Sequence, residues 1–224
     1  MPPAEPRLRW VRRAPQGLSP QNPRPRLGVL GGTFNPVTRA HLEIAHSARR
    51  EFSLAEVLFV LPEKLPHRSA AEASLEDRLA LLEAALAPCP HFSLAVCSHG
   101  LLLEMARALA PHYPQRSKVY FLVGSDAAQR ILLWDYPEPQ ETLAEMFGCF
   151  DLIVAERRRP FTLPRHPGVE AFRAQIHRLS LPRTTQEISA TAVRERLRAG
   201  GSIDDLVPPG VAEAIRRRGL YAAP

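Results

Sequence analysis

The stretch from Leu27 to Leu42 constrains the fold of this chain more than any other part of the sequence, because it combines a strand, a tight turn and a helix start. The apolar run Leu27–Leu30 predicts a buried strand. Gly31-Gly32 follows, and glycine lets the backbone turn tightly and approach a bulky ligand. Asn35 is predicted to cap a helix whose first residue is Pro36.

The same stretch predicts a site for an anion. A strand, a glycine turn and a helix N-terminus direct free backbone N–H groups and the positive helix end towards one point. Thr38 and His41 are three residues apart, so both project from one side of the first helical turns and offer a hydroxyl and an imidazole to a phosphate. No lysine–serine pair follows the glycines, and their spacing is not that of a dinucleotide fold, so neither common phosphate-binding loop is present.

Apolar runs alternate with helical patterns along the rest of the chain. Strands are predicted at 56–61, 92–96, 119–123, 152–155 and 179–181, with helices between them. Alternation of this kind predicts a parallel sheet with right-handed crossovers, flanked by helices. Ligands bind such sheets beyond the carboxyl ends of the strands, and Gly31, Pro62, Gly124 and Arg157 all follow predicted strand ends.

The net charge of +6 is concentrated near the N-terminus, where residues 1–26 hold six arginines and one glutamate. This proline- and arginine-rich tail is expected to be disordered. Residues 27–224 are nearly neutral and suit a single domain, so nucleic acid is not an expected partner.

No apolar run is long enough to span a bilayer, and no secretory signal is present. The three cysteines lack metal-ligand spacing, which favours reduced thiols in the cytoplasm.

A second motif, Ile188-Ser189-Ala190-Thr191-Ala192-Val193-Arg194, predicts another capped helix. Ser189 can accept a hydrogen bond from the first helical turn. Thr191 and Arg194 share one helical face, so the guanidinium can fork onto a phosphate beside the hydroxyl. Taken alone, the motif equally describes a surface helix with an exposed arginine.

Together the two motifs resemble signatures of the nucleotidylyltransferase superfamily. Thr38-Arg39-Ala40-His41 is similar to its H/T-x-G-H signature, with alanine in place of glycine, and Ile188–Arg194 is similar to the I-S-x-T-x-x-R signature of nicotinate and nicotinamide mononucleotide adenylyltransferases. The resemblance covers residues 27–221. It implies a Rossmann-like parallel α/β sheet of the nucleotidylyltransferase type, and an enzyme that transfers the adenylyl group of ATP to nicotinate mononucleotide in NAD synthesis.

The resemblance also implies roles for individual residues. His41 would contact the α-phosphate of ATP, Arg194 the leaving phosphates, and Thr38 would orient them. Further ATP contacts are implied for Gly31, Gly32, Thr33, Phe34, Gly124, Asp126, Ile188, Ser189 and Thr191. Contacts with the mononucleotide are implied for Asn35, Lys64, His67, Arg68 and Trp134. Mg²⁺ is expected on the ATP phosphates, since no acidic cluster predicts a metal site in the protein.

One segment departs from the family pattern. Ser98–Glu104 lacks the tyrosine and threonine that help the family bind the pyridine end. Nicotinamide mononucleotide and other phosphate acceptors, such as pantetheine phosphate, therefore remain alternatives. A non-catalytic nucleotide-binding protein is a further alternative, which the presence of both His41 and Arg194 disfavours. The sequence leaves the oligomeric state open and predicts no membrane partner.

Overall fold

A seven-stranded sheet organises the residues described by the computed structural model, which are 5–19, 21, 25–64, 71–157 and 160–222. Its strands are β1 (Leu8–Arg12), β2 (Arg26–Gly31), β3 (Glu56–Pro62), β4 (Phe92–Cys97), β5 (Lys118–Gly124), β6 (Asp151–Glu156) and β7 (Ile176–Ser180). Their order across the sheet is β1-β4-β3-β2-β5-β6-β7. Every neighbouring pair is parallel except β1 and β4, which are antiparallel.

Helices cover both faces of the sheet. They are α1 (Arg39–Glu51), α2 (Leu75–Leu86), α3 (Leu102–Leu109), α4 (Ser125–Leu132), α5 (Pro139–Cys149), α6 (Pro167–Glu170), α7 (Arg183–Gln186), α8 (Ala190–Arg198) and α9 (Pro209–Arg218). Residues of α1, α2, α8 and α9 share one hydrophobic core, and residues of α3, α4 and α5 share the other. None of the helices in these ranges is long and apolar enough to cross a membrane.

The central strands explain the two cores. Along β3, Leu58 and Val60 point into one core, whereas Phe59 and Leu61 point into the other. Such strands are buried on both faces and appear in the sequence as continuous apolar runs. The prediction of a Rossmann-like parallel sheet flanked by helices is confirmed. Strand order reverses between β2 and β5, and this switch point is where ligands bind in sheets of this kind.

The prediction of a disordered tail is wrong for residues 8–12, which form the edge strand β1. Leu8 and Trp10 pack against one core, and Val11 packs against the other. The Arg13 guanidinium lies 3.3 Å from the centre of the Trp10 ring. The physical reason is the alternation of apolar and charged residues, which suits an edge strand although the composition is typical of disorder.

The predicted start of the first helix is also wrong. Thr38 is the N-cap of α1, and Asn35 and Pro36 lie in the preceding loop, joined by a cis peptide bond. Asn35 uses its polar atoms elsewhere: its side-chain oxygen accepts from the Ala73 N–H (3.3 Å) and its carbonyl oxygen accepts from Arg194 (2.7 Å). These tertiary contacts outweigh the local capping preference.

Candidate active site at the switch point

The loop that follows β2 lies at the switch point and is closely packed. Gly31 and Gly124 end two neighbouring strands, β2 and β5. The Gly32 N–H donates to the Val60 carbonyl (3.2 Å), which ties the loop to β3. A Cβ atom on Gly32 would lie 3.1 Å from the Phe34 ring, so a side chain there would have to displace that ring. Phe34 is buried and has φ +46, a strained conformation for this residue type.

Thr38 and His41 form one hydrogen-bonded unit at the start of α1. The Thr38 backbone N–H donates to His41 Nδ1 (3.0 Å), and Thr38 Oγ1 lies 2.8 Å from the same nitrogen. A backbone N–H can only donate, so Nδ1 accepts and the ring proton of the neutral imidazole is on Nε2. Thr38 is completely buried. The expectation that its hydroxyl faces a phosphate is therefore wrong, because that hydroxyl faces the His41 ring.

His41 is neutral at physiological pH. Burial, and then the nearby positive charge of Arg157, lower the pKa of His41 to about 4. The Phe34 ring meets the imidazole edge-on, with ring centres 5.2 Å apart. Arg157 directly follows β6, and sequence reasoning placed it at this edge of the sheet without giving it a role. The result is an imidazole that presents an Nε2–H donor.

The donors available to an anion differ from those expected at a helix N-terminus. The Arg39 N–H, the first of α1, already donates to the Leu206 carbonyl (2.9 Å). Within the described part of the chain, the N–H groups of Thr33 and Phe34 have no hydrogen-bond acceptor. These two N–H groups are free to donate and are candidates for contact with a ligand. The loop, more than the helix end, supplies the backbone donors.

Helix α8 brings Arg194 to the same loop. Ser189 caps α8 as predicted, with its hydroxyl accepting from the Ala192 N–H (3.1 Å). Arg194 Nη1 donates to the Asn35 carbonyl (2.7 Å), and its Nε donates to Glu72 Oε1 (2.9 Å). The two motifs, distant in sequence, are thus joined by a direct hydrogen bond.

Glu72 is a neighbour of Arg194 that sequence reasoning missed. Its second carboxylate oxygen accepts from Arg198, one turn further along α8. Hydrogen bonds and charge from Arg198, and then from Arg194, hold the pKa of the Glu72 carboxyl below its ordinary value. An acidic residue in a polar segment gives no sequence signal for this contact, which depends on the approach of α8. The carboxylate fixes the orientation of the Arg194 guanidinium.

The residues expected to bind the adenosine lie around Gly124. Gly124 is the N-cap of α4, and Asp126 is exposed in the first turn of that helix. No atom lies within 4 Å of the position of a Cβ on Gly124, which leaves room for a ligand. Thr191 is exposed at the start of α8, whereas Ile188 is buried in the core.

The residues expected to bind the mononucleotide are less well gathered. Trp134 follows α4 and is 46% exposed. It borders an open depression of about 360 Å³ whose other lining residues are Gln129, Arg130, Leu133 and Asp135. Lys64 is exposed after β3. His67 and Arg68 lie outside the described residues. Within the described ranges, no group of three or more His, Cys, Asp or Glu side chains could hold a metal ion.

Comparison with known proteins identifies relatives that match most of this chain. Residues 29–196 match the cytidylyltransferase-like family model. The chain is 33% identical over 214 residues to a probable nicotinate-nucleotide adenylyltransferase of Synechococcus sp. (strain JA-3-3Ab), covering 92% of this chain and 100% of that protein. It is also 33% identical to a protein of the same name from Trichlorobacter lovleyi, covering 88% of this chain and 99% of that protein.

A solved structure shares the fold. The nicotinic acid mononucleotide adenylyltransferase of Plasmodium falciparum complexed with APC superimposes with a TM-score of 0.66 at 18% identity, covering 88% of this chain and 97% of that chain. At this identity the similarity supports the fold alone. The family of this chain is assigned from the family match and from the curated relatives, which align over most of their length. This chain belongs to the cytidylyltransferase-like family and, within it, to the nicotinate-nucleotide adenylyltransferases.

Proposed function

We propose that this protein transfers the adenylyl group of ATP to nicotinate mononucleotide, giving the deamido dinucleotide and pyrophosphate in NAD synthesis. One observation carries the proposal: Arg194 of the second motif donates to the Asn35 carbonyl of the glycine loop at 2.7 Å. The same loop leads into the Thr38–His41 unit. A guanidinium, a neutral imidazole and backbone N–H groups thus belong to, or contact, one loop at the switch point, and these are the kinds of donor that bind a polyphosphate.

The reaction needs no nucleophile from the protein. A phosphate oxygen of the mononucleotide attacks the α-phosphorus of ATP in line, a new P–O bond forms, and the bond to the leaving pyrophosphate breaks. The residues position the two substrates and stabilise negative charge as it redistributes towards the leaving group. His41 Nε2–H donates to an α-phosphate oxygen. Arg194 neutralises the leaving phosphates with guanidinium N–H groups other than those engaged with Asn35 and Glu72.

The remaining assignments follow from position. Thr38 acts through the His41 ring, because its hydroxyl and N–H both contact Nδ1. Asp126, exposed at the start of α4, binds the ribose hydroxyls of ATP. Trp134 stacks on the pyridine ring from its exposed position.

Mg²⁺ enters with ATP as part of the substrate and is held by phosphates and water. We place the reaction in the reducing cytoplasm, where the free thiols of Cys89, Cys97 and Cys149 are expected.

The nature of the acceptor rests on the names of the relatives, which specify nicotinate. One observation favours a second candidate, nicotinamide mononucleotide. The hydroxyl of Ser98 is already engaged with the Arg7 N–H (2.9 Å) and with His99 Nδ1 (2.8 Å). The segment from Ser98 to Glu104 is otherwise largely apolar and contains no tyrosine or threonine.

A pyrophosphate-release assay tests the proposal. Wild-type protein with Mg-ATP is given nicotinate mononucleotide, nicotinamide mononucleotide or pantetheine phosphate in separate reactions. The proposal predicts the highest kcat/KM with the nicotinate form. A preference for the amide form would keep the chemistry and change the substrate. No pyrophosphate release with either pyridine mononucleotide, in a protein that binds Mg-ATP, would refute the proposed activity.

A further inference from the structure

Arg78 is a buried cation beside the glycine loop, and no role has yet been given to it. It lies on α2 and is only 5% exposed. Its Nη1 donates to the Thr33 carbonyl (3.0 Å) and its Nε to the Ala73 carbonyl (3.2 Å). Within the described residues no carboxylate lies within 4 Å of the guanidinium. A buried arginine normally has an anionic partner, so this arrangement needs an explanation.

The contacts of Arg78 belong to a set that joins the start of α2 to the glycine loop. The Ala73 N–H donates to Asn35 Oδ1 (3.3 Å), and the neighbouring residue Glu72 accepts from Arg194 (2.9 Å). Arg78 adds the bond to Thr33, two residues before Asn35. The segment 72–78 therefore holds the loop from one side at two points and holds Arg194 at a third.

The helix that carries Arg78 packs against elements near the C-terminus. Helices α2 and α9 pack together, and Tyr221, which follows α9, is buried in the same core as the glycine loop residue Phe34. Burial raises the pKa of the Tyr221 hydroxyl, and the charges of Arg194 and Arg78 oppose that rise. Burial lowers the pKa of Arg78 from its ordinary value. Arginine nevertheless remains charged at neutral pH.

We infer that Arg78 is a positioning residue for the triphosphate of ATP: through the Thr33 carbonyl it holds the glycine loop in its binding conformation, and its unpaired charge attracts the phosphates. The inference rests on the proposed function in taking ATP as the ligand of the loop. A carbonyl fixed by a buried cation also fixes the adjoining peptide, and the N–H of that peptide, which belongs to Phe34, has no acceptor among the described residues. The missing anionic partner is then the substrate itself.

Two substitutions of Arg78 and one control separate positioning from general stability. Arg78→Met keeps an apolar stem without charge, and Arg78→Lys keeps the charge but loses the fork that spans two carbonyls. The control is Arg218→Ala, which removes the contact of α9 with Asp77 on α2 (2.8 Å) but touches neither the loop nor Arg78. For each variant we would measure the melting temperature, the Kd for Mg-bound adenosine α,β-methylene triphosphate, and kcat and KM for both substrates.

The inference predicts a tenfold or greater rise in the analogue Kd and a thirtyfold or greater fall in kcat for Arg78→Met, with KM for the mononucleotide within twofold of wild type. Arg78→Lys is expected to recover most of the affinity and to lose five- to tenfold in kcat. Arg218→Ala is expected to match wild type in Kd and kcat.

Wild-type Kd and kcat in folded Arg78→Met would overturn the inference. So would equal losses in Arg218→Ala, because they would indicate general loosening between α2 and α9. If Arg78→Met does not fold, Arg78→Lys decides, and wild-type kcat in that variant would overturn the inference. The analogue Kd needs no acceptor, so failure of the proposed reaction would not hide the result for Arg78.

Discussion

At the scale of single residues, Arg194 and Arg198 offer a comparison within one helix. Both donate to Glu72, but only Arg194 also reaches the Asn35 carbonyl of the glycine loop. We expect Arg194→Lys to lower kcat about 10- to 100-fold, because one ammonium nitrogen lacks the planar fork with which Nε and Nη1 reach Glu72 and Asn35 from separate positions. Arg198→Ala should stay within about twofold of wild type, since an exposed ion pair contributes little. Steady-state kinetics on both variants checks this, and equal losses would remove the special role of Arg194.

The lowered pKa of His41 predicts how stability changes with pH. Burial and the charge of Arg157 lower this pKa from 6.5 to about 4, so between these values the unfolded chain binds a proton that the folded chain does not. Stability must therefore fall as pH decreases through this window. Between pH 7 and about pH 5 we expect wild type to lose on the order of 1–2 kcal/mol more than His41→Gln, which cannot titrate. Urea unfolding at both pH values measures the difference, and parallel losses would contradict the assigned protonation state.

At the scale of elements, β1 shows that an edge strand can be concealed by its composition. Trp10 packs on the core, with the rings of His112 and Tyr113 edge-on at 5.7 and 6.0 Å. We expect Trp10→Ala to lower the free energy of unfolding by about 2 kcal/mol, less than for a fully buried tryptophan. The exposed residue Arg9 on the same strand serves as a control, and Arg9→Ala should change stability by less than about 0.5 kcal/mol. If the tail had no structure, neither substitution would change the free energy of unfolding measured in urea.

The start of α1 marks the limit of local signals. Asn35 and Pro36 have the preferences of an N-cap and first helical residue, yet Thr38 caps the helix. The position of the N-cap is decided by hydrogen bonds from Ala73 and Arg194, residues remote in sequence, to the two oxygens of Asn35.

Arg78 is a second residue whose role depends on contacts remote in sequence. It lies on the apolar face of α2 with Leu81 and Leu82, and a charged residue at such a position is a sequence signal for a buried, functional group although it belongs to neither motif.

At the scale of the whole molecule, the fold was predictable because strand and helix patterns alternate from Leu27 onwards. The resemblance implied that His41 and Arg194 act on the same ATP, and in the structure Arg194 contacts the loop that leads to His41, at the Asn35 carbonyl. The orientation of Thr38, the role of Glu72 and the contacts of Arg78 were not predictable, since each depends on which elements approach in three dimensions. The sequence therefore specifies the place of the site, and tertiary contacts specify which atoms face the ligand.

In the proposed reaction neutral His41 stabilises the transferring phosphate, and comparing kcat of His41→Ala with that of wild type, using Mg-ATP and nicotinate mononucleotide, tests this role. His46→Ala, at the exposed second histidine of α1, is the control. Loss of a donor to the transition state should lower kcat of His41→Ala by about 10²- to 10³-fold in a folded protein, with His46→Ala near wild type. Near-normal turnover by folded His41→Ala would contradict the account.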